Sequence, residues 1–444
     1  MKRKDSMPVR RVLVFPAGTE IGLEIHASLR DCRNVELFGA GEDISTHARF
    51  AFAEYRTVPN VRETGWLERL ISLCHELEID YVFPAHDDAL VALSDARDRI
   101  PATLVTSCAD ACTTTRSKSA TYLRLAKILP VPRLYASASD VDEFPVLVKP
   151  DRGQGSQGVQ RIDNREQLEL ALKATAGAII CSYLPGDEYT VDCFSSIKQG
   201  LLFAGARRRR RTRNGISVNT ETEDLPEVAG IARKISDELN LRGAWFFQLK
   251  RDGSGALTLL EVAPRIAGAM AVHRVSGINF PLLSIFEQEG VNIKLALNPG
   301  KIELDRSLRN RYRHTVRFNT LYLDLDDMLV TRSTVNLELI KLLFSCINQH
   351  KKIVLISRHA DDIDATLRKH RLNGLFDEVI HITDDTPKSR FITDADSIFV
   401  DDSFSERQEV ARVHGIPTFD SSMIEMLNEQ AESLNRQSHD QEIR

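Results

Sequence analysis

The sequence predicts a protein with α/β and α+β parts in series, and three patterns carry that prediction. Residues 10–115 alternate short apolar runs with amphipathic segments, as in a doubly wound parallel sheet. Residues 116–300 carry a glycine-rich loop between two strand-like runs, followed by a strong hairpin signal. Residues 319–428 return to alternating strands and helices, with polar side chains at several strand ends. The polar residues 301–318 are predicted as a linker, and residues 429–444 as a flexible tail.

Composition excludes several classes of protein. The 444 residues are 42% hydrophobic with a net charge of -5, so no overall attraction to nucleic acid or to a membrane surface is expected. No apolar run is long enough to span a bilayer, and the apolar run after the basic start is too short for a secretory signal. The seven cysteines are odd in number and scattered, including Cys108 and Cys112, which favours a reducing cytoplasm over a disulfide framework.

The first part ends one of its strands in charged residues. Strands are predicted at Arg11–Phe15 and Tyr81–Pro84, with a helix at Ile21–Leu29 between them. His86, Asp87 and Asp88 follow the second of these strands, where ligands of parallel sheets bind. The same residues are equally consistent with a helix N-cap and solvated acids.

The stretch Phe144–Val159, FPVLVKPDRGQGSQGV, is the centre of the second part. An apolar strand leads to Lys149, a loop with three glycines follows, and Val159–Ile162 reads as a second strand. A lysine and glycines that let backbone N–H groups approach phosphate oxygens could together hold a triphosphate. A dinucleotide fingerprint is rejected because no helix follows the glycines, and a Walker loop because the lysine precedes them. A glycine-rich hairpin turn without a ligand is the alternative.

A hairpin further along the chain predicts a metal site. Ala244–Leu249 and Leu257–Val262 are expected to pair as antiparallel strands around Asp252-Gly253. Gln248 and Glu261 interrupt these apolar strands, and two oxygen donors on adjacent strands suit Mg²⁺. Arg265 could reach the same phosphates, or it could form a structural ion pair with Glu261.

Residues 10–300 resemble the ATP-grasp superfamily, the fold of carbamoyl-phosphate synthetase and D-alanine–D-alanine ligase. The matching motifs, in order, are Lys118, Lys149-Pro150, the glycine loop, the run from Tyr183 to Glu188, Gln248, and the run from Glu261 to Arg265. The resemblance implies that Lys118 and Lys149 contact the phosphates of ATP, and that Gln248 and Glu261 hold Mg²⁺. It assigns further ATP contacts to loop residues, to the adenine hinge and to a ribose-binding glutamate: Gly153, Gln154, Gly155, Ser156, Gly158, Tyr183, Leu184 and Glu188.

Two positions depart from the pattern of that superfamily. Cys181 stands where the hinge usually has an acid, so adenine recognition is expected to use the backbone. Ala263 stands where a metal-binding asparagine is expected, which weakens a site for two Mg²⁺ ions.

The arginine run 207–211, with Arg213 after it, has the composition of a nucleic-acid patch. In this context a mobile, solvated loop beside an anionic substrate is the preferred interpretation. Arg213, just before Gly215, is the member of the run predicted to take part in catalysis.

In the third part, polar residues follow three predicted strands and one loop. Thr320–Leu323 leads to Asp324 and Asp326, and the other polar positions are Ser357, Lys388, Asp401 and Asp402. One carboxylate, Asp324, can attack phosphorus, while Asp326 can serve as general acid and base. The four aspartates are the candidate Mg²⁺ ligands, and Ser357 and Lys388 would neutralise phosphoryl oxygens. A solvated acidic strand end explains any one of these residues but not the ordered set.

This third part resembles the haloacid dehalogenase (HAD) superfamily of phosphatases, because all four of its motifs are present in order. Met328 stands where a threonine is common. The intervals from Asp324 to Ser357 and from Ser357 to Lys388 are too short for a separate cap domain. The expected fold is therefore a capless, HAD-like Rossmannoid domain with an open site.

Together the resemblances imply a cytoplasmic ligase that uses ATP and Mg²⁺ to join a small carboxylate to an amine through an acyl phosphate. The third part would hydrolyse a phosphorylated substrate, or it would serve as a docking module without turnover. A third alternative is an ATP-dependent sensor in which neither site turns over. No membrane or nucleic-acid partner is expected, and the sequence also allows a homo-oligomer.

Overall fold

The computed structural model describes residues 8–428 except Gln154, Ser156 and Ala176. The chain divides into two compact units, with the boundary between Leu308 and Arg309. None of the helices in the described part of the chain combines the length and hydrophobicity needed to cross a bilayer.

The first unit begins with a parallel sheet, which confirms the predicted doubly wound part. Its elements are β1 Arg10–Phe15, α1 Glu20–Leu29, β2 Val35–Gly41, α2 Ala48–Ala51, β3 Glu54–Thr57, α3 Trp66–Glu76, β4 Tyr81–Pro84, α4 Asp87–Asp95 and β5 Thr103–Leu104. The strand order is β3-β2-β1-β4-β5. Helix α1 begins after Thr19, whose side chain accepts a hydrogen bond from the Gly22 amide at 3.0 Å. Chain order reverses at β1, so the crevice between the ends of β1 and β4 is where a ligand is expected.

A small antiparallel sheet carries the glycine-rich loop. The elements are α5 Ala109–Arg116, α6 Lys118–Leu125, β6 Leu134–Tyr135, β7 Val146–Pro150, β8 Gln160–Ile162, α7 Arg165–Ala174 and β9 Ala178–Ser182. The strand order is β6-β9-β7-β8. The loop joins β7 to β8, and these strands pair antiparallel. A strand therefore follows the glycines, as predicted, and the geometry of a dinucleotide fingerprint is not present.

A larger antiparallel sheet completes the first unit. Its elements are β10 Glu188–Ser196, β11 Gly200–Arg213, β12 Ile216–Glu223, α8 Val228–Leu239, β13 Gly243–Arg251, β14 Leu257–Ala263, α9 Ala271–Arg274, α10 Phe280–Gln288 and β15 Glu303–Asp305. The strand order is β14-β13-β10-β11-β12-β15. The predicted hairpin is confirmed as β13 and β14, and Gln248 lies directly opposite Glu261 in the register.

Two predictions about this sheet are wrong. The arginine run is not a loop, because residues 207–211 lie within β11, a strand that pairs with both β10 and β12. The predicted linker is shorter than 301–318, because Glu303–Asp305 forms the edge strand β15 beside β12. Cross-strand pairing explains both differences. Charged residues can occupy strand positions when their side chains have partners of opposite charge on neighbouring strands.

The larger sheet has one apolar and one polar face. Val191, Cys193, Phe247 and Leu249 are buried in the cluster that also contains residues of α8. Successive side chains of a strand alternate between faces, so Thr190, Asp192 and Gln248 point to the opposite side. The sheet therefore packs on one face and presents polar groups on the other.

The second unit is a parallel sheet with helices. Its elements are β16 Thr320–Leu323, β17 Val330–Thr331, β18 Thr334–Val335, α11 Leu337–Asn348, β19 Lys352–Ser357, α12 Ile363–Lys369, β20 Glu378–His381, β21 Ser397–Val400, α13 Phe404–His414 and β22 Thr418–Phe419. The order β20-β19-β16-β21-β22 places β16 at the centre, and β17 and β18 form a small hairpin after it. The three strands that precede the predicted polar residues are thus neighbours, so their carboxyl ends meet.

The buried Trp245 offers a test of the packing of the larger sheet. Its ring stacks on Phe247 with centroids 5.7 Å apart, and its indole N–H donates to Ser195 Oγ at 2.9 Å. We expect Trp245→Ala to lower the free energy of unfolding by about 3–5 kcal/mol, because a large cavity remains and the indole hydrogen bond to Ser195 is lost.

Urea denaturation followed by the fluorescence of Trp66 measures this change, because both tryptophans of the chain lie in the first unit. Leu123→Ala is the control, since Leu123 is 72% exposed and its truncation should change stability by less than about 0.5 kcal/mol. Equal effects of the two substitutions would contradict the packing described.

Candidate functional site

A cavity of ≈ 710 Å³ in the first unit collects most of the predicted ATP-site residues. It lies on the polar face of the larger sheet, between that sheet and the glycine-rich loop. The predicted residues that line it are Lys118, Lys149, Gly153, Gly155, Tyr183, Leu184, Glu188, Gln248, Glu261 and Arg265. Folding therefore brings together side chains that the sequence distributes over about 150 positions.

The four remaining predicted residues of the first unit have different outcomes. Gln154 and Ser156 lie outside the described residues. Gly158, in the same loop, adopts a φ of 71°, which glycine tolerates without strain. The structure does not bring Arg213 into the cavity, because its side chain is exposed at the end of β11.

Lys149 is a buried cation at the end of β7. Its Nζ donates to the Tyr122 hydroxyl at 2.8 Å, and that hydroxyl donates to the backbone oxygen of Leu260 at 2.7 Å. Burial acts to lower the pKa of Lys149, but Tyr122, Cys181 and Glu261 outweigh it, so the pKa is raised. Burial also raises the pKa of Tyr122 to about 12. Lys149 is therefore held charged inside the protein, in a position where it can contact an anion.

Lys118 ties the glycine-rich loop to α6. Its Nζ donates to the backbone oxygen of Gly153 at 3.1 Å, and Asp151 at the start of the loop accepts from Ser117 Oγ and from the Ser119 amide, both at 2.7 Å. Burial lowers the pKa of Lys118. A phosphate oxygen that replaced the Gly153 carbonyl would give this cation a stronger acceptor and would release the loop.

The pair Gln248 and Glu261 can hold a metal ion. Both side chains line the cavity, and they face each other across β13 and β14. An amide oxygen and a carboxylate are suitable Mg²⁺ ligands. Ala263, two residues further along β14, is buried and offers no ligand atom. The donor set on this strand pair therefore fits one ion better than two.

Arg265 does not pair with Glu261. Its guanidinium makes a bidentate contact with Asp87, with distances of 2.6 and 2.9 Å to the two carboxylate oxygens. Burial acts to raise the pKa of Asp87, but Arg265 outweighs it and the pKa is lowered. His86 caps α4 by accepting from the Asp88 amide at 3.2 Å. His86 is therefore a helix cap and Asp87 positions a cavity residue, while ligand binding by this triplet stays a prediction.

The proposed ribose contact has a partner within the protein. Glu188 lies 2.7 Å from Arg209 Nη1, and Arg209 Nη2 donates to the Gly215 carbonyl at 2.6 Å. Cys181, at the hinge position, is buried and lines the cavity near Lys149. A ligand hydroxyl that donates a hydrogen bond to Glu188 would therefore share this carboxylate with the guanidinium of Arg209.

Sequence reasoning did not identify Tyr122, Asp192 and His273, which lie in or beside the cavity, and it placed Arg207 only within a run beside an anionic substrate. Their contacts join strands and helices far apart in the chain, so spacing along the sequence carries no sign of them. The alternation in Glu188–Ser196 was a usable signal, because it places Asp192 on the same face as Glu188.

The exposed arginines of β11 are paired with acids rather than presented as a patch. Arg208 contacts Asp187 at 2.8 Å, Arg210 contacts Glu221 at 2.9 Å, and Arg211 contacts Asp305 at 2.6 Å. These three guanidinium groups therefore have acidic partners within the protein.

The second unit gathers its own cluster at the carboxyl ends of β16 and β21. Carboxylate oxygens of Asp324, Asp401 and Asp402 lie within 4.8 Å of one another. Lys388 Nζ is 2.9 Å from Asp324 and 2.7 Å from Asp401. Burial and Asp401 raise the pKa of Asp324 to about 6, although Lys388 opposes them. The buried Ser357 hydroxyl has no hydrogen-bond partner among the described residues, so it is available to an anion.

Asp326 lies outside this cluster of carboxylate side chains, and its predicted role as a metal ligand stays a prediction. Its half-exposed side chain is hydrogen-bonded to His359 Nδ1 at 2.9 and 3.0 Å. The other nitrogen of His359 lies 2.8 Å from Thr366 Oγ1. The sequence interpretation missed His359, because only the fold places this loop beside Asp326.

Comparison with known proteins agrees with the architecture of the first unit. Residues 175–304 match the family model described as ATP-grasp in the biosynthetic pathway with Ter operon. The matched segment of the first unit is therefore similar to ATP-grasp domains. ATP and Mg²⁺ are the cofactors of such domains, and the cavity contains two lysines as candidates for phosphates and Gln248 with Glu261 as candidates for the cation.

A D-alanine–D-alanine ligase of Fusobacterium nucleatum subsp. nucleatum is 26% identical over 123 residues, which are 25% of this chain and 43% of the relative. The chain thus spans less than half of that relative. The biotin carboxylase of Campylobacter jejuni, in complex with β,γ-ATP, superposes with a TM-score of 0.57 at 16% identity, covering 68% of this chain and 76% of that one. For the L-amino acid ligase of Bacillus licheniformis the TM-score is 0.52 at 17% identity, with 63% and 74% covered. These two structural similarities show the fold.

Tyr122 is expected to support ATP binding through Lys149. Tyr122→Phe keeps the buried ring but removes the hydroxyl that positions the lysine, so the dissociation constant for Mg-ATP should rise about 5- to 30-fold. Isothermal titration calorimetry measures it. Tyr189→Phe is the matched control, because Tyr189 is buried on the apolar face of the larger sheet. Equal affinities in the two variants would show that the Tyr122 hydroxyl does not position Lys149.

Proposed function

We propose that the first unit is an ATP-dependent carboxylate–amine ligase that works through an acyl phosphate. The observation that carries this proposal is the placement of Lys149, Lys118, Gln248 and Glu261 around one cavity. Two cations beside two metal-ligand candidates form a site for a polyphosphate and its Mg²⁺. The relatives named as D-alanine–D-alanine ligase and L-amino acid ligase support the reaction class.

Each group has a distinct task in this proposal. ATP supplies the phosphoryl group that converts the carboxylate into an acyl phosphate, and the amine then displaces inorganic phosphate to form the amide. Lys149 and Lys118 neutralise phosphate oxygens, and the glycine-rich loop excludes water from the reactive acyl phosphate. Arg265, held by Asp87, presents a fixed positive charge to the developing negative charge.

Lys149→Ala tests the assignment of the site. We expect it to reduce the rate of ADP release by about 100-fold or more, because it removes a desolvated cation from the phosphates. ADP release is measured over a panel of carboxylates paired with amino acids, and the mass of each product is determined. Lys127→Ala is the matched control, since Lys127 is exposed on the surface. Full ligation by Lys149→Ala would refute the assignment.

We further propose that the second unit is a Mg²⁺-dependent phosphatase of the HAD type. Its support is the combination of Asp324, Asp401, Asp402, Lys388 and Ser357 at one edge of a parallel sheet. Asp324 would attack phosphorus and release the alcohol, and water would then hydrolyse the aspartyl phosphate. Asp326 would protonate the leaving oxygen after turning away from His359. A cation and an unpartnered hydroxyl beside the carboxylates favour this function over a purely structural acidic cluster.

Asp324→Asn separates the phosphatase from a docking module. With p-nitrophenyl phosphate and Mg²⁺, the substitution should abolish hydrolysis, lowering the rate by about 1000-fold or more, because the nucleophile is lost. Asp327→Asn is the matched control: Asp327 is exposed and has a φ of 54°, which asparagine also tolerates. Hydrolysis that is absent from the wild type, or equal in all three proteins, would favour the docking module.

A further inference from the structure

A polar row crosses the floor of the ATP-grasp cavity. Arg207 on β11 is the register partner of Thr190 on β10, Thr190 of Gln248 on β13, and Gln248 of Glu261 on β14. All four side chains line the cavity. Neighbouring strands are about 4.8 Å apart, so Arg207 lies about 10 Å across the sheet from Gln248. One end of the row is the predicted metal site, and the other end is a guanidinium.

The guanidinium of Arg207 is buried in the sheet, and one of its donor nitrogens has no acceptor in the described part of the chain. The side chain is only 3% exposed, and its Nε and Nη2 donate to the Asp192 carboxylate at 2.8 and 3.2 Å. Nη1 is buried and has no hydrogen-bond partner among the described residues. A buried charged donor without an acceptor is costly, so its persistence points to a ligand that supplies the acceptor.

Asp192 and His273 hold this guanidinium in place. The fully buried Asp192 contacts both Arg207 and His273 Nδ1, the latter at 2.9 Å. Burial acts to raise the pKa of Asp192, but Arg207 and His273 outweigh it and the pKa is lowered. Because two of the three guanidinium nitrogens are bound by a fixed carboxylate, the direction of Nη1 is fixed as well.

We propose that Arg207 Nη1 binds the carboxylate of the acceptor substrate, the molecule that accepts the phosphoryl group of ATP. This subsite lies at the end of the row opposite the metal site. The assignment rests on the proposed ligase function. The phosphates already have Lys149 and Lys118 as cations, whereas the acceptor carboxylate needs a donor of its own on the cavity floor. The row then orders the reactants. The metal ion and the phosphates lie at Gln248 and Glu261, and the acceptor carboxylate lies toward Arg207.

Arg207→Lys tests this subsite with its charge retained. Steady-state kinetics are measured for the carboxylate and amine that give ADP release in the wild type. We expect the KM for the carboxylate to rise about 10-fold and the KM for Mg-ATP to stay within about 2-fold, because one charged hydrogen bond is lost. Arg208→Lys is the matched control on the opposite face of β11, where Arg208 pairs with the exposed Asp187, and it should leave both KM values unchanged.

The double variant Asp192→Asn/Arg207→Gln is the second test if Arg207→Lys does not fold. It removes both buried charges together, so neither is left unpaired, and it should lose carboxylate saturation while still binding Mg-ATP.

Other results would overturn the assignment. A parallel rise in the KM for Mg-ATP would place phosphate oxygens at Arg207 instead. Unchanged kinetics with a lower melting temperature would make the Asp192, Arg207 and His273 cluster structural only. A wild type that binds Mg-ATP but releases no ADP with any pair of substrates would refute the proposed ligase function itself, and with it the acceptor. ADP release by the wild type with normal kinetics in Arg207→Lys would refute only the subsite.

Discussion

The burial of a positive charge at Lys149 is the constraint on which the first unit depends. An ammonium group taken from water must be hydrogen-bonded, and Tyr122 provides the acceptor. Because the same hydroxyl donates to Leu260, one phenol joins α6, β7 and β14. These elements carry Lys118, Lys149 and Glu261. The geometry of the phosphate site is therefore set by a residue that is not expected to touch the phosphates.

The period of two along β-strands explains how one sheet both packs and binds. On β10 the odd-numbered Val191 and Cys193 pack in the apolar cluster, while Thr190 and Asp192 face the other way. Adjacent strands follow the same rule, so polar side chains of four strands fall into one row. A shift of one residue in any pairing would move that strand's polar groups into the core. Packing of the apolar face thus fixes the strand register on which the polar row of the cavity depends.

The two units place a lysine among acceptors in chemically different ways. Lys149 is paired with a neutral phenol, so its charge remains available to an anion. Lys388 is paired with Asp324 and Asp401, which raise its pKa although burial acts against them. In the second unit the lysine therefore lies between two carboxylates and offsets their negative charge. The arrangement suits a site whose nucleophile is itself a carboxylate.

The sequence alone was sufficient for those features that depend on local pattern. Alternation, turn chemistry and strand-end residues predicted the parallel sheets, the β13–β14 hairpin, the opposition of Gln248 to Glu261, and the cluster at Asp324. Tertiary structure decided which long side chains meet. Arg265 pairs with Asp87 rather than with Glu261 four residues away, and the arginine run became a strand. Asp326 turned to His359. An arginine reaches several partners from one backbone position, and only the packing of distant segments selects among them, because burial makes each unpaired charge costly.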